Sequence, residues 1–476
     1  MNAHESHRRD FFGQVGKGLV GAAIAGMLHD DGVVNAANQR TFDVSPKKPH
    51  FPGKAKAVIQ FFMTGGPSHI DLFDPKPALK KHAGELPRAF LDNVESVGAA
   101  GGLMPSPFKI RKRGESGLEI ADVLPHLAEC ADDIAVIRSM WTTDFNHETG
   151  VLMMHSGRNL KASPSIGAWI SYGLGSENRD LPAYVALDAP GKPILMDKGN
   201  WQSGWLPPVF QGTRFRSVGS PLLNLHAKDE YPDSVLAYSR NLLGKIAAKH
   251  RDQRPGQPDL SARIASYELA ARMQLSATDA LDISQETRET QAAYGLENKN
   301  TESYGRRCLM ARRLVERGVR IVQIYMNTTR GDNPWDHHGG ILENLTTCCL
   351  ESDQPVAALL KDLKQRGLLD STLLMWGGEF GRLPLAQKGS NPGRDHGAKG
   401  FSVWLGGGGI KGGTAYGATD EFGYHAVENR TSIHDLHATV LHCLGLDHER
   451  LVFDHHGLNE RLTTVNPASV VTGVLA

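Results

Sequence analysis

The chain has 476 residues, 52 basic and 52 acidic side chains, and is 40% hydrophobic and 22% charged. That composition excludes a mainly disordered or collagen-like chain, and a formal charge of zero gives no global field for gathering phosphates, which argues against a dedicated nucleic-acid binder. Five cysteines, an odd number with no Cys-x-x-Cys pair, argue against a disulfide framework, whereas 21 histidines are the unusual feature, several of them beside Asp, Gly and one another.

At the start, His7-Arg8-Arg9-Asp10-Phe11-Phe12 precedes an apolar Gly/Ala-rich run from Val15 to Leu28 that Lys17 interrupts. Paired arginines ahead of a weakly apolar stretch resemble a twin-arginine signal over residues 1–36, cleaved near Val34-Asn35-Ala36; the expected partner is the twin-arginine export machinery and the expected location periplasmic or secreted. No later segment has about 18 consecutive apolar residues, so no integral membrane span is expected in the mature chain. Export in the folded state suits a metal loaded beforehand and makes disulfides dispensable.

Six short apolar runs predict strands: Ala57–Met63, Ile134–Met140, Ala183–Leu187, Val319–Met326, Thr372–Trp376 and Phe401–Leu405. Between them, His250–Ser303 is polar and strandless, with a helix expected over Leu260–Leu275. A second helix is expected over Cys308–Arg317, ending at Gly318. A third should start at Ser352 or Asp353 with Pro355 in its first turn, bury Val356, Leu359, Leu360 and Leu363 on one face, and end at Gly367. Ser432 with Asp435 reads as the start of a helix carrying His434, His437 and His442. Helices alternating with wholly apolar strands define an α/β fold with a mainly parallel central sheet and helices on both faces. The expected organisation is one domain over 50–465 with a helical excursion at about 250–303.

In open α/β sheets ligands gather beyond the carboxyl ends of the strands. After Met63 come Gly65-Gly66-Pro67-Ser68-His69-Ile70-Asp71. After Met140 come Thr142-Thr143-Asp144-Phe145-Asn146-His147. The loop after Met326 reaches Trp335-Asp336-His337-His338-Gly339, and after Trp376 come Gly377-Gly378-Glu379-Phe380-Gly381-Arg382, then Arg394-Asp395-His396-Gly397 ahead of the Phe401 strand. Imidazole with carboxylate is the ligand set of zinc and comparable divalent ions, and separate segments can converge on one ion. The expectation is a site holding Zn, Mn, Ca or Mg. Arg382 and Arg394 are candidates to clamp an anionic group, although for either one alone a loop-surface charge is the simpler reading. Gly406–Gly409 lacks the Gly-Lys-Ser/Thr ending of a phosphate loop and reads as a turn. Trp141, Trp201 and Trp205 are candidates for a sugar-facing surface or, more simply, buried packing.

These stretches, together with Ile410-Lys411-Gly412-Gly413, Tyr416-Gly417 and His434-Asp435-Leu436-His437-Ala438-Thr439, resemble the sulfatase-like domain-of-unknown-function family of exported proteins, within the alkaline phosphatase and sulfatase superfamily. The resemblance covers the whole mature chain. It implies an alkaline phosphatase-like fold, one or two divalent ions beyond the strand ends, and hydrolysis of a phosphate or sulfate ester by a hydroxyl nucleophile. A threonine four places before a histidine makes Thr143 the implied nucleophile beside His147, with Arg382 as the implied clamp. Asp336, His338 and His396 are similar to an ion-holding Asp, His and later His. Glu379 completes the expected set, with His69 and Asp71 as substitutes for an aspartate normally at the end of the first strand.

Two departures stand out. Glu379-Phe380 occupies the place of an Asp-His pair, and Gly65-Gly66 the place of that aspartate. The Cys/Ser-x-Pro-x-Arg sequence converted to formylglycine is absent, since Ser163-Pro164-Ser165 has neither its spacing nor its arginine. The expected function is therefore an exported metal-dependent hydrolase of small-molecule or polysaccharide phosphate or sulfate esters, not formylglycine-dependent. The alternative is a non-catalytic glycan-binding or cell-envelope protein on the same fold.

Overall fold

The computed structural model describes residues 44–93, 97–188, 194–218, 232–253, 258–326, 331 and 333–476. The twin-arginine-like segment lies outside them. The chain divides into a small unit containing residues 230–265 and a large one formed by 44–229 and 266–476. In the small unit the strandless stretch begins earlier than the sequence suggests, with a helix over Asp233–Asp252. The helix expected over Leu260–Leu275 extends over Pro258–Leu281.

All six predicted runs are strands of one sheet in the large unit. Its order is Thr414–Tyr416, Ile134–Trp141, Phe401–Gly406, Thr372–Gly377, Ala57–Phe62, Ile321–Tyr325, Tyr184–Asp188 and Thr213–Arg216, with Thr431–Ser432 also pairing on Ile134–Trp141. The protein is thus α/β with a mainly parallel sheet: every strand runs the same way except Phe401–Gly406, antiparallel to both neighbours. That reversal matters for the site. It brings the beginning of the Phe401 strand, and the His396 segment ahead of it, to the edge where the other strands end.

Alternation along the central strand divides the core into two faces. Ile59 and Phe61 join Val185, Leu187, Val322 and Ile324 beneath the helices Glu302–Glu316 and Ile341–Gln365. Phe62 on the other face packs edge-on against His155, 4.4 Å between ring centres, on the helix His147–Ser156. A buried polar chain fastens that helix to the sheet. Gln323 Nε2 donates to Gln60 Oε1 (2.7 Å), Tyr184 donates to Gln323 Oε1 (2.5 Å), and the Tyr325 hydroxyl stands 2.9 Å from His155 Nε2. Burial pushes the pKa of His155 down to about 4, so it is a neutral packing residue.

The helix expected to begin at Ser352 or Asp353 starts eleven residues before Ser352, at Ile341, and carries Pro355 in its interior. The apparent start signals have other partners. Ser352 Oγ donates to the Cys348 carbonyl one turn back (2.8 Å), and the Asp353 carboxylate accepts the His126 and Leu127 N–H groups (2.7 and 2.9 Å) of a neighbouring short helix. The helix Glu302–Glu316 likewise starts six residues earlier than Cys308. The Ser432–Asp435 capping box does form, and its helix spans Ile433–Cys443. Its His434 and His437 are buried, each with Nε2 2.9 Å from a backbone carbonyl, of Gly157 and Met154. All five cysteines are buried and none forms a disulfide, and no helix among the described residues is long and apolar enough to cross a membrane.

Candidate metal centre

Three routes bring the site together. His147 is the first residue of the His147–Ser156 helix, where the Asn146 side chain caps the Glu148 N–H (3.0 Å). Asp336 and His338 lie in the loop beyond Ile321–Tyr325, held against the first strand's exit by the Trp335 N–H to the Thr64 carbonyl (3.0 Å). His396 lies on a strand, Arg394–Gly397, rather than in the loop the sequence suggests. It pairs with Gly381–Gln387, and Arg382 stands opposite His396 in the register.

His147, Asp336, His338 and His396 each present one ligand atom, and these four atoms lie within 4.8 Å of one another. Asp336 is the hub. Its Oδ1 is 3.0 Å from His338 Nε2, 3.3 Å from His396 Nε2 and 2.7 Å from an Arg382 guanidinium nitrogen, and its Oδ2 is 3.2 Å from His147 Nε2. The two facing nitrogens of His338 and His396 are 3.0 Å apart.

Two of the rings have their tautomers set from behind. His396 Nδ1 lies 2.7 Å from the Phe145 carbonyl, and His147 Nδ1 lies 2.6 Å from Glu379 Oε1. An N–H directed at each acceptor leaves Nε2 with its lone pair facing the common point, the usual arrangement around metal-binding imidazoles. His147 Nε2 is buried and faces the Asp336 carboxylate. Such a set of three imidazoles and one carboxylate suits a zinc-like divalent ion.

Electrostatics without an ion follow from the same contacts. Burial works against the His147 imidazolium, but the bonds and charges of Asp336 and Glu379 outweigh it and raise its pKa to about 9. Burial also works against the Asp336 carboxylate, yet hydrogen bonds from His147, His338 and His396 and the Arg382 charge hold it far below the usual range. His396 is shifted down, first by burial and then by the Arg382 and His147 charges.

Other residues expected at the site lie elsewhere. Glu379 is fully buried behind His147, where its Oε1 also accepts the Gly65 N–H (2.9 Å). It orients the His147 ring and lies outside the cluster of four. Asp71 is fully buried and paired with Arg394 (2.7 and 3.1 Å), and His69 has its Nε2 2.9 Å from the Gly423 carbonyl. Neither belongs to the cluster. Arg382 and Arg394 are buried, which excludes the loop-surface reading. Arg382 donates to the Gly66 and Arg394 carbonyls (2.9 and 3.1 Å), to the Gly65 carbonyl and to Asp336, so it holds the centre's backbone and its aspartate. Thr143 is exposed, with Oγ1 3.3 Å from Asp144 Oδ2, and Trp201 is buried.

The Gly65-Gly66 departure has a geometric reason. A Cβ at Gly65, whose φ is +116°, would lie 2.5 Å from the Asp336 nitrogen, so this close crossing admits no side chain there. Phe380 packs between two of the imidazoles, with ring centres 4.9 Å from His147 and 4.8 Å from His396. The orienting role of Glu379 was not readable from its motif, because carboxylates that bind ions and carboxylates that brace histidines share the same sequence neighbours. Glu379→Gln should leave all four cluster residues in place yet weaken metal affinity by about 10–100-fold, as loss of an outer-shell partner generally does. Calorimetric titration of the variant with Zn checks this.

The fold and this centre define an α/β protein with a three-histidine, one-aspartate cluster at the strand exits. The chain belongs to the family described as "Protein of unknown function (DUF1501)", whose model matches residues 55–475. No curated protein matches it in sequence. Among solved structures it is similar to Ps i-CgsB (10% identity, 84% of this chain and 73% of that one, TM-score 0.35). It is also similar to the lipoteichoic acid synthase LtaP from Listeria monocytogenes (9%, 85% and 76%, 0.32). A third likeness is to the alkaline phosphatase from the Antarctic bacterium TAB5 (11%, 75% and 92%, 0.30).

Proposed function

We propose that this protein is an exported, metal-dependent hydrolase of phosphate or sulfate esters. The observation that carries the reading is the convergence of His147, Asp336, His338 and His396, with His147 and His396 braced from behind by Glu379 and the Phe145 carbonyl. A divalent ion held there supplies Lewis-acid stabilisation of charge on the ester oxygens and lowers the pKa of a hydroxyl or water. The chain's own residues do the rest. Thr143 is the proposed nucleophile, with its hydroxyl beside the Asp144 carboxylate. Arg382 keeps Asp336 and the glycine loop in place, and Glu379 keeps His147 in the metal-accepting tautomer. Hydrolysis consumes one water, breaks the P–O or S–O bond and leaves an alcohol and a free oxyanion.

One observation favours the rival reading, a non-catalytic glycan-binding or cell-envelope protein: Arg382 and Arg394 have their donors taken up internally, so neither offers a clamp for the anionic group. Screening aryl phosphate and aryl sulfate esters with Zn, Mn, Ca and Mg separates the two. Turnover that chelation removes and the ion restores is expected. Thr143→Ala should lower it by orders of magnitude, because loss of a nucleophile leaves only binding and charge stabilisation. A stoichiometric ion with no turnover on any ester would favour the binder, and full activity of Thr143→Ala would end the threonine assignment alone.

A further inference from the structure

A cavity of about 640 Å³ adjoins the centre. The two share a wall. Phe145 turns its carbonyl to His396 while its ring, 48% exposed, lines the cavity, and Ala398, two residues past His396, lines it too and accepts the Thr142 N–H (2.8 Å). The size matches a site for a small organic ligand rather than a bare oxyanion.

Its charge is one-sided. Lys399 and Arg430 line it, and among the described residues no carboxylate forms an ion pair with either; His425 also lines it, its pKa lowered by burial and the Lys399 charge. The one acidic lining residue, Asp420, accepts the backbone N–H groups of Phe422, Tyr424 and His425 (3.0, 2.9 and 2.8 Å), which occupy both its oxygens and shape the loop. The Arg430 guanidinium lies over the Trp141 ring, 4.7 Å from its centre, so it is steadied by an aromatic face while its N–H edges keep no carboxylate partner. An unpaired guanidinium fork and an ammonium beside exposed aromatic surface suit an oxyanion attached to a ring with an apolar face.

We propose that this cavity, whose wall includes Thr143, binds the part of the substrate that extends beyond the reacting ester, a sugar ring carrying a second sulfate or phosphate that Arg430 and Lys399 contact. The proposal rests on the hydrolase reading for the word substrate, but the binding site stands on its own. It also supplies what the centre lacks: anion recognition comes from the neighbouring cavity, where the cations are unpaired, and not from Arg382 or Arg394.

The test is calorimetric titration, at low and physiological salt, of the full mature chain with three probes on one disaccharide core: neutral, disulfated and diphosphorylated. Wild type should bind a charged probe at least tenfold more tightly than the neutral core, with the sulfated and phosphorylated arms naming the oxyanion. Lys399→Gln and Arg430→Gln should each weaken it about tenfold or more, the scale of one charge-assisted hydrogen bond. Trp141→Ala should weaken it through loss of the Arg430 support. Neither cation has an ion-pair partner to lose, so unchanged thermal melts for Lys399→Gln and Arg430→Gln are the control for folding. Repeating the titration on chelator-stripped protein separates the two readings. Charge-dependent binding that survives stripping supports the cavity even if no ester is ever cleaved. Binding that needs the ion and ignores Lys399 and Arg430 places the probe at the metal centre and overturns the cavity, leaving the hydrolase reading intact. Equal affinity for neutral and charged probes also overturns it.

Discussion

Replacing Asp71 by Asn should destabilise the protein by about 3–5 kcal/mol, the cost of leaving one member of a buried ion pair uncompensated. Asp71 and Arg394 are both fully buried, and the carboxylate takes two guanidinium bonds and the Ser68 hydroxyl (2.5 Å). Burial alone would raise the carboxyl pKa, but the Arg394 charge and bonds more than reverse it. A folded pKa below the unfolded one contributes stability that is complete above the unfolded value of about 3.9 and fades as pH falls through the folded value. The gap between wild type and Asp71→Asn should therefore be widest near neutral pH and close in acid, as protonation removes the same charge. Urea melts from pH 7 to pH 3 measure it, and a gap that stays constant to pH 3 would contradict the pairing. The double variant Asp71→Leu with Arg394→Met should recover much of the loss, since an apolar pair of similar volume replaces an ion pair at little net cost. The effect should reach the metal centre as well. Arg394 begins the strand that carries His396, so loosening it should weaken metal affinity before global unfolding begins.

The pairing of Asp71 with Arg394 shows where sequence reading stops. Both residues stand out as polar groups near strand exits, Asp71 as a candidate ligand and Arg394 as a clamp or a loop-surface charge. Nothing in the sequence tells that residues 323 positions apart neutralise one another. The strands were legible for a simpler reason. A strand buried on both faces is mostly apolar over five or six residues, and the six runs were visible as such despite single polar residues such as Gln60 and Ser402. The reversed direction of Phe401–Gly406 was not visible, since apolar composition is blind to direction, although His396 reaches the site only because of it. Asp336, His338 and His396 were legible as candidates because four strand exits carried clusters of the same ligand chemistry. His147 was credited as a catalytic neighbour, while the structure places its Nε2 in the cluster and Glu379 behind it. Pro355 misled for a related reason: proline favours first turns, but it is tolerated within a long helix whose packing outweighs one lost bond.

Replacing Asp336 by Asn should abolish stoichiometric metal binding while sparing most of the stability. Asp336 is the one group that all three imidazoles approach, so its loss removes both a ligand atom and the charge that offsets the cation. The weakening should exceed the about 10–100-fold expected for Glu379→Gln, which touches only the outer shell. Arg382 keeps its backbone acceptors at Gly65, Gly66 and Arg394, so the penalty for an unpaired buried charge is smaller here than at Asp71. Loading must expel the proton that Asp336 and Glu379 hold on His147, whose pKa without an ion is about 9. Apparent affinity should thus strengthen with rising pH up to about 9 and flatten beyond it, with protons released on binding. Ion excess at about 100 times Kd should stabilise wild type by about 2.7 kcal/mol, and this increment should vanish in Asp336→Asn. Elemental analysis together with melts in the presence and absence of Zn reads both effects. A variant that keeps its ion and its increment would move the metal away from these four residues, and with it the chemistry assigned to them.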